Sequence, residues 1–528
     1  MPFAARRLRL LGVSAAAALA VLAACSAGPS SQADQPSSVP SPSAVATTPE
    51  LPKDGRPLQP IPTVKPEGFA DPPPGKGLGR YEKQRLNWKS CGPGLSCTMM
   101  LVPLDYADPD GTAITLMVAK RPATGSKRLG SLFINPGGPG GSGVWYVGYF
   151  NPAGLENYDI VGWDPRGVGH STPVTCFGKD DLDHYFSMDS SPDDPNELQA
   201  RIDEQIKFGQ SCLEKSGPLL EHVSTMDTVR DLDLLRQLVG DVKINYFGSS
   251  YGTKIGSLYA DLYPQRVGRM VLDGAVNINS RSRVSQVQGF ERALRHFASW
   301  CAESQCRIGS QRDDVLAMIK EFLNGLDQQP MQVSGGRTLS QQQGVEAVFY
   351  SMYGGTSSWP KLRDALTAAI FDKDGSGLLE LADASDRRDR DGSYGQLNYA
   401  FPAIRCLDSQ DDSVREAEHR LTEDSRRAPV LGRLNGPDLA CPLWPVKPAP
   451  KQPAVDATGT PPIVVIGTTG DPATPYEYAQ SMARELRSAV LVTFDGEGHL
   501  AYGQSGCVRD LVIAYLARDQ VPRDGSRC

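Results

Sequence analysis

The chain contains no C-x-x-C pair and no H-E-x-x-H stretch, so these zinc-ligand spacings are missing and a metal site has no support in the sequence. A basic excess is missing too. Asp and Glu outnumber Lys and Arg by 61 to 54, for a net charge of −7, which makes the chain a poor binder of nucleic acid. Histidine is scarce. There are six, at 170, 184, 222, 296, 419 and 499, which leaves few candidates for a general base. The apolar run from Leu10 to Ala24 falls short of the roughly 20 residues that a membrane span needs.

That run is nonetheless informative. Arg6, Arg7 and Arg9 precede it, giving the basic and apolar regions of an export signal. It ends in Leu22-Ala23-Ala24-Cys25, which resembles the lipidation signal of bacterial lipoproteins, so Cys25 is expected to carry lipid and begin the mature chain. The adjacent arginines point weakly to the twin-arginine route. Ten further cysteines follow: Cys91, Cys97, Cys176, Cys212, Cys301, Cys306, Cys406, Cys441, Cys507 and Cys528. An even number in an exported protein reads as disulfides. Neighbour pairing is the simplest arrangement: Cys91 with Cys97, Cys176 with Cys212, Cys301 with Cys306, Cys406 with Cys441, and Cys507 with Cys528. The expected location is the outer face of the cell membrane, or the medium.

The organisation follows composition and periodicity. Residues 1–24 form the signal. Residues 25–78, with "QPSSVPSPSAVATTPELP" and "DPPPG", cannot bury a core and read as a flexible tether. Folded sequence follows. "CTMMLVPLDY" and "AITLMVAKRP" flank "ADPDGT", a hairpin signal. Short apolar runs at 131–136, 158–165, 242–248, 269–276, 461–469 and 489–496 read as buried strands, separated by helical patterns such as Val229, Leu232, Leu235 and Val239. This alternation predicts a mostly parallel sheet with helices on both faces. The core is expected over 79–276 and 461–528. A mainly helical insertion, 277–460, interrupts it and is expected to cap the C-terminal edge of the strands, where such folds bind ligands.

Within "YFGSSYGT" (246–253), Ser250 follows a strand and opens a helix, between Gly248 and Gly252. G-x-S-x-G in that setting is a nucleophile elbow. Its partners should follow in the order acid, then His. Only His499, in "VTFDGEGHL", follows a late strand in a loop. Asp471, in "IVVIGTTGDPATP", holds the place of the acid; Asp273, which ends the previous strand, is the rival, but Pro472 supports a loop directly after Asp471. An oxyanion hole needs two backbone N–H groups. One is expected from Tyr251. The other is expected from "NPGGPGGSG" (135–143), with Gly138 the first candidate and Gly137 next.

That loop also satisfies G-x-G-x-x-G through Gly138, Gly140 and Gly143, with Asp164 further on as a dinucleotide site would place its acid. Export argues against it, since little NAD is met outside the cell. Asn135-Pro136 and Pro139 suit a rigid loop, and Asp164 and Arg166 of "DPRGVGHS" are expected to brace each other. No cofactor is expected.

"NPGGPG", "DPRGVGHS", "GSSYGT", "DPATP" and "GH", with a cap insertion, together resemble the tripeptidyl aminopeptidases of actinobacteria, exported α/β-hydrolase serine peptidases related to proline iminopeptidase. The resemblance spans roughly 80–528 and includes "AIRCLD" and "CPLWP". Proline iminopeptidases usually begin the first motif with His and write the second Asp-Gln-Arg-Gly; Asn135-Pro136 and Asp164-Pro165-Arg166-Gly167 favour the tripeptidyl branch. The resemblance implies an α/β-hydrolase fold and cleavage near the N-terminus of peptides by Ser250, Asp471 and His499, with Thr474 beside them. An aminopeptidase needs negative charge for the substrate's amine, and Asp408 in "CLD" is the candidate. Peptides and the membrane are the expected partners, and a monomer the expected state. An esterase or lipase with the same triad, a proline iminopeptidase-like enzyme and a non-catalytic peptide-binding lipoprotein are the alternatives. The lack of a long apolar lid helix weighs against a lipase, and a full triad against a receptor.

Overall fold

A computed structural model describes residues 55–528 apart from 334 and 412. The export signal, Cys25 and the first part of the expected tether lie outside the described residues. The antiparallel end of the sheet comes first: Phe69–Ala70 (β1), Lys89–Gly92 (β2), Leu95–Pro103 (β3) and Ala113–Arg121 (β4). β3 and β4 form the hairpin expected around "ADPDGT", with Met100 opposite Leu116. The α/β part follows as Gly130–Asn135 (β5), Gly143–Tyr149 (α1), Tyr158–Trp163 (β6), Lys179–Ser187 (α2), Pro195–Ser216 (α3), Thr225–Leu238 (α4), Ile244–Ser249 (β7), Gly252–Leu262 (α5) and Val267–Asp273 (β8).

The chain then leaves the sheet. It runs through Gln286–Glu303 (α6), Arg312–Gln328 (α7), Gln341–Tyr353 (α8), Trp359–Asp372 (α9), Ser376–Ser385 (α10), Leu397–Asp408 (α11), Val414–Arg427 (α12) and Leu431–Leu434 (α13). A small hairpin, Met331–Gln332 (β9) against Thr338–Leu339 (β10), joins α7 to α8. These helices bury a core of their own, with Phe297, Leu323, Val348 and Leu366 fully inside. The sheet resumes with Ile463–Gly470 (β11), Tyr476–Glu485 (α14), Ala489–Glu497 (β12), Gly506–Arg518 (α15) and Ser526–Arg527 (β13).

The result is an eleven-stranded sheet in the order β13-β12-β11-β8-β7-β5-β6-β4-β3-β2, with β1 paired to β4. Every neighbouring pair from β6 to β13 is parallel. This is an α/β-hydrolase fold. Its central strands read as unbroken apolar runs because helices cover both faces. Leu132, Phe133 and Ile134 of β5 and Ile463 to Ile466 of β11 are all inaccessible to solvent.

All ten cysteines among the described residues are paired, each with its neighbour in the chain. Cys91–Cys97 ties β2 to β3, and Cys176–Cys212 ties the segment before α2 to α3. Cys301–Cys306 closes the end of α6, and Cys406–Cys441 joins α11 to the segment after α13. Cys507–Cys528 fastens the chain's last residue to α15. None of the ten is left as a free thiol, so none is available as a nucleophile or a metal ligand.

Two expectations need correction. The tether does not extend to residue 78. Arg56 donates to the carbonyls of Cys406 and Ser409 at the end of α11, each at 2.7 Å, and Phe69 pairs with Ile114. A Pro-rich composition excludes a private core, but not docking onto another; a guanidinium suits the exposed carbonyls of a helix C-terminus. Nor do Asp164 and Arg166 brace each other. Asp164 turns to the start of α1, where it accepts from Ser142 Oγ (2.5 Å) and the Val144 N–H (3.1 Å). Free N–H groups at a helix N-terminus attract a carboxylate. The acid that a dinucleotide site would need is therefore occupied. Fully buried Arg166 reaches Asp231 on α4 through Nε (2.7 Å) and Nη2 (2.8 Å), and donates to the carbonyls of Pro103, Leu104 and His222.

Removing one partner of a buried pair leaves the other charge stranded. Arg166→Met should therefore lower the unfolding free energy by about 3–5 kcal/mol in urea titrations. A loss under about 1 kcal/mol would mean that the Arg166–Asp231 pair is dispensable.

Candidate active site

β7 ends at Ser249 and the chain turns at once into α5. Ser250 takes up the turn with φ at 55°, a left-handed conformation that non-glycine residues seldom adopt. Its N–H is held by the carbonyl of Asp273 at the end of β8 (2.8 Å), and its own carbonyl by the N–H and hydroxyl of Thr253 (2.8 and 2.6 Å). The flanking glycines are required by crowding. A Cβ on Gly248 would run into the Tyr246 ring at 2.6 Å, and one on Gly252 would lie 2.9 Å from the Asn135 carbonyl. The turn thus pulls strand, helix and the neighbouring β5 loop together around the serine.

That loop faces the turn closely. A Cβ on Gly137 would come within 2.9 Å of Ser250 Cβ and 3.0 Å of Tyr251 N. The two oxyanion candidates on this loop are not equivalent. The Gly137 N–H donates to Asn135 Oδ1 (2.9 Å), whereas the N–H groups of Gly138 and Tyr251 have no partner among the described residues. Gly138 is also exposed where Gly137 is buried.

His499 follows β12. Its Nδ1 donates to Asp471, 3.0 Å from Oδ1 and 2.9 Å from Oδ2. Asp471 is inaccessible to solvent and accepts further bonds from the N–H groups of Ala473 (2.9 Å) and Thr474 (2.8 Å) and from Thr474 Oγ1 (3.0 Å). Thr474 Oγ1 also lies 3.3 Å from His499 Nδ1, so the threonine sits within the pair. Burial pulls the His499 imidazolium down, but the Asp471 carboxylate beside it outweighs that and leaves the group above its ordinary value of 6.5. The pairing on Nδ1 leaves Nε2 as the proton acceptor. Ser250 Oγ makes no hydrogen bond to His499 among the described residues; such bonds are often long before substrate binds.

Asp273, the rival acid, holds backbone instead. Its carboxylate accepts the N–H groups of Ala501 (3.1 Å) and Tyr502 (2.9 Å), just past His499. Burial pushes it up to about 6, against those two donors. Gly274 follows, and a Cβ there would touch His499 Cε1 at 3.3 Å. Ser250 and His499 therefore flank the end of β8.

Asp408 does not join this group. Its Oδ1 accepts the Thr225 N–H (3.0 Å), and its Oδ2 meets Thr225 Oγ1 and Lys254 Nζ (2.8 Å). It lines a cavity of about 770 Å³ beside α5 whose walls do not include Ser250, Asp471 or His499. The lysine already compensates its charge, so it is a poor receptor for an amine. The sequence drew attention to Asp408 because of the nearby Cys406, which pairs with Cys441; through Thr225 Oγ1 Asp408 is linked to the Tyr251 hydroxyl, but it bonds no triad side chain. A residue that the sequence did not single out takes part instead. Tyr353, at the end of α8, accepts the His499 N–H at its carbonyl (2.8 Å) and packs its ring edge-on to the imidazole at 5.5 Å. No motif marks it; only the docking of the insertion brings it there.

A strained serine, an imidazole–carboxylate pair and two free N–H groups around one strand end suit acyl transfer. Comparisons with known proteins agree. Residues 130–316 match the family described as alpha/beta hydrolase fold, and residues 428–528 the family described as TAP-like protein. The chain is 36% identical over 460 residues to the serine protease Hip1 of Mycobacterium tuberculosis H37Rv, covering 82% of this chain and 87% of that protein. It is 35% identical to the carboxylesterase B of the same organism, covering 84% and 89%. It is 31% identical to the tripeptidyl aminopeptidase of Streptomyces lividans, covering 83% and 85%.

The electrostatics of the pair are measurable. In a histidine NMR titration the His499 ring should titrate above 6.5, and Asp471→Asn should bring it down, because the raising charge is gone and the burial remains. The sign for stability follows. The contribution is fully present below about pH 6.5 and is lost as pH rises through the folded value. A ring that titrates unchanged in Asp471→Asn would remove Asp471 as the source.

Proposed function

The chain belongs to the TAP-like family of α/β hydrolases and is a serine hydrolase, and from that premise we propose that it is an exported serine exopeptidase releasing short fragments, tripeptides in particular, from the free N-terminus of peptides. The observation that carries the reading is the meeting of Ser250, His499–Asp471 and the free N–H groups of Gly138 and Tyr251 at the end of β8.

In this reading Ser250 Oγ attacks the scissile carbonyl while His499 Nε2 takes its proton. Asp471 keeps Nδ1 protonated and stabilises the imidazolium. Gly138 and Tyr251 donate to the oxyanion as it forms. The tetrahedral adduct collapses, the C–N bond breaks, and His499 returns the proton to the leaving amine. The same imidazole then activates water to hydrolyse the acyl-enzyme. Thr474 bonds Asp471 through its N–H and its hydroxyl and helps to hold the carboxylate beside the imidazole. Export is supported by the basic and apolar leader, by Cys25 and by five disulfides, which persist in oxidising surroundings. The name of the carboxylesterase B relative favours a second reading, an esterase with the same machinery.

Two experiments test this. A chromogenic tripeptide amide with a free N-terminus should be cut, its N-acetylated twin and a short acyl ester should be cut poorly, and Ser250→Ala should lower kcat by about 10⁶-fold. An ester cleaved better than the free peptide would favour the esterase instead. For localisation, the wild type expressed in an actinobacterial host should partition into detergent with the membrane, and Cys25→Ser should move it to the aqueous phase or the medium. Unchanged partitioning would exclude a lipid at Cys25.

A further inference from the structure

Within the insertion lies a cavity of about 470 Å³, lined by its residues alone and separate from the one beside Asp408. Tyr353 and Phe401 line it, each about 40% exposed although large and apolar. Tyr353 is the residue that packs on His499. Phe401 stands by the loop after β5, since a Cβ on Gly140 would lie 3.2 Å from its backbone N. Two residues of its wall therefore also neighbour the candidate active site, Tyr353 at the imidazole and Phe401 at the loop after β5.

Glu346 also lines it, on α8, seven residues before Tyr353 and so on the same helix face. Its Oε1 accepts from Ser385 Oγ, while Oε2 has no partner among the described residues. No cation pairs with Glu346 among the described residues. Asp386, one residue past Ser385, is likewise without an ion pair among them, and burial and the neighbouring Glu346 charge push its carboxyl well above the usual carboxylate range, towards the neutral form. Burial pushes the Glu346 carboxyl up, and the Ser385 hydroxyl offsets only part of that. Of the other charges in the wall, Asp438 and Arg420 have partners of opposite sign, and Asp424 is held by two neutral donors. Asp438 holds Arg405 through two bonds (2.5 and 2.7 Å), Arg420 pairs with Asp411 (3.3 Å), and Asp424 accepts from Ser285 (2.6 Å) and Gln288 (3.3 Å). Glu346 faces the cavity half-buried, with one hydroxyl bond and no cation, whereas Asp424 is held by two donors.

We infer that Glu346 receives the N-terminal ammonium of the substrate, and that its distance from His499 sets the length of the released fragment; the inference rests on the exopeptidase reading above. Seven helical residues rise about 10 Å. Three extended residues span about the same, roughly 10–11 Å. A peptide with its amine at Glu346 and its third carbonyl at Ser250 would lie across Tyr353 and Phe401, whose rings offer contact for any side chain. An ammonium entering this cavity gains a charge-assisted bond and favours the ionised form of Glu346 against its burial. An N-acetyl group does neither.

The test compares di-, tri- and tetrapeptide amides with free and acetylated N-termini, and a short acyl ester, for wild type, Glu346→Gln, Glu346→Asp and Asp424→Asn. Glu346→Gln should raise KM for the free tripeptide on the order of 100-fold, with kcat changed less than about threefold, and should abolish the preference for a free amine. Glu346→Asp should keep part of that preference, and ester cleavage should be unaffected in both, which also reports that they fold. If the preference survives Glu346→Gln, or falls in Asp424→Asn instead, the assignment of Glu346 is overturned while the exopeptidase reading stands. If wild type shows no preference for a free amine at any length, the exopeptidase reading fails and Glu346 loses its role with it.

Discussion

One residue of β8 anchors both halves of the candidate active site. The carbonyl of Asp273 holds the Ser250 N–H, and its carboxylate holds the N–H groups that follow His499. Ser250 and His499 lie 249 residues apart in sequence, with the whole insertion between them. Neither could be aimed by its own segment alone, because one sits on a strained turn and the other in a loop. Fixing both to the same buried strand end makes their relative position a property of the sheet. The arrangement carries a cost. Asp273 is fully buried, its carboxyl is pushed up to about 6, and only backbone donors and the nearby imidazole favour its charged form.

Much of this was legible in the sequence, and the reason is local. The central strands are apolar on both faces, so their runs stand out. The elbow is legible because its glycines answer to contacts within a few residues and with one neighbouring loop. His499 and Asp471 are legible because chain order and strand ends constrain them. The choice between Asp471 and Asp273 rests on Pro472, and the structure puts Asp471 on the imidazole Nδ1. The disulfides are legible because each joins chain neighbours, from Cys91–Cys97 at the antiparallel end to Cys507–Cys528 at the other.

What escaped the sequence depends on packing between distant segments. Arg166 and Asp164 stand two residues apart, yet each finds its partner on a different helix. Arg56 lies in a stretch whose composition argues against order, and it docks on carbonyls 350 residues away. Asp408 lies near a cysteine, and that proximity says nothing about which cavity it faces. Tyr353 and Glu346 occupy an ordinary amphipathic helix. Their interest emerges only when α8 is seen to run from the imidazole along the cavity within the insertion.

The bond from the His499 N–H to the Tyr353 carbonyl has one more consequence. An insertion hung between two strands of a sheet looks like a module that could be trimmed away or exchanged for the equivalent piece of a relative. Here the imidazole rests against the insertion's own aromatic ring, and its backbone hydrogen bond ends there. Cutting the module out would leave that donor without its acceptor and the imidazole without the ring it packs against, with Asp471 and Thr474 left to hold it. A minimal version of this enzyme, stripped to its sheet, would keep every triad residue and the Asp273 anchor, and lose the contact that seats the imidazole from the other side. Chimaeras that graft a new insertion would need to carry over the helix end that His499 leans on.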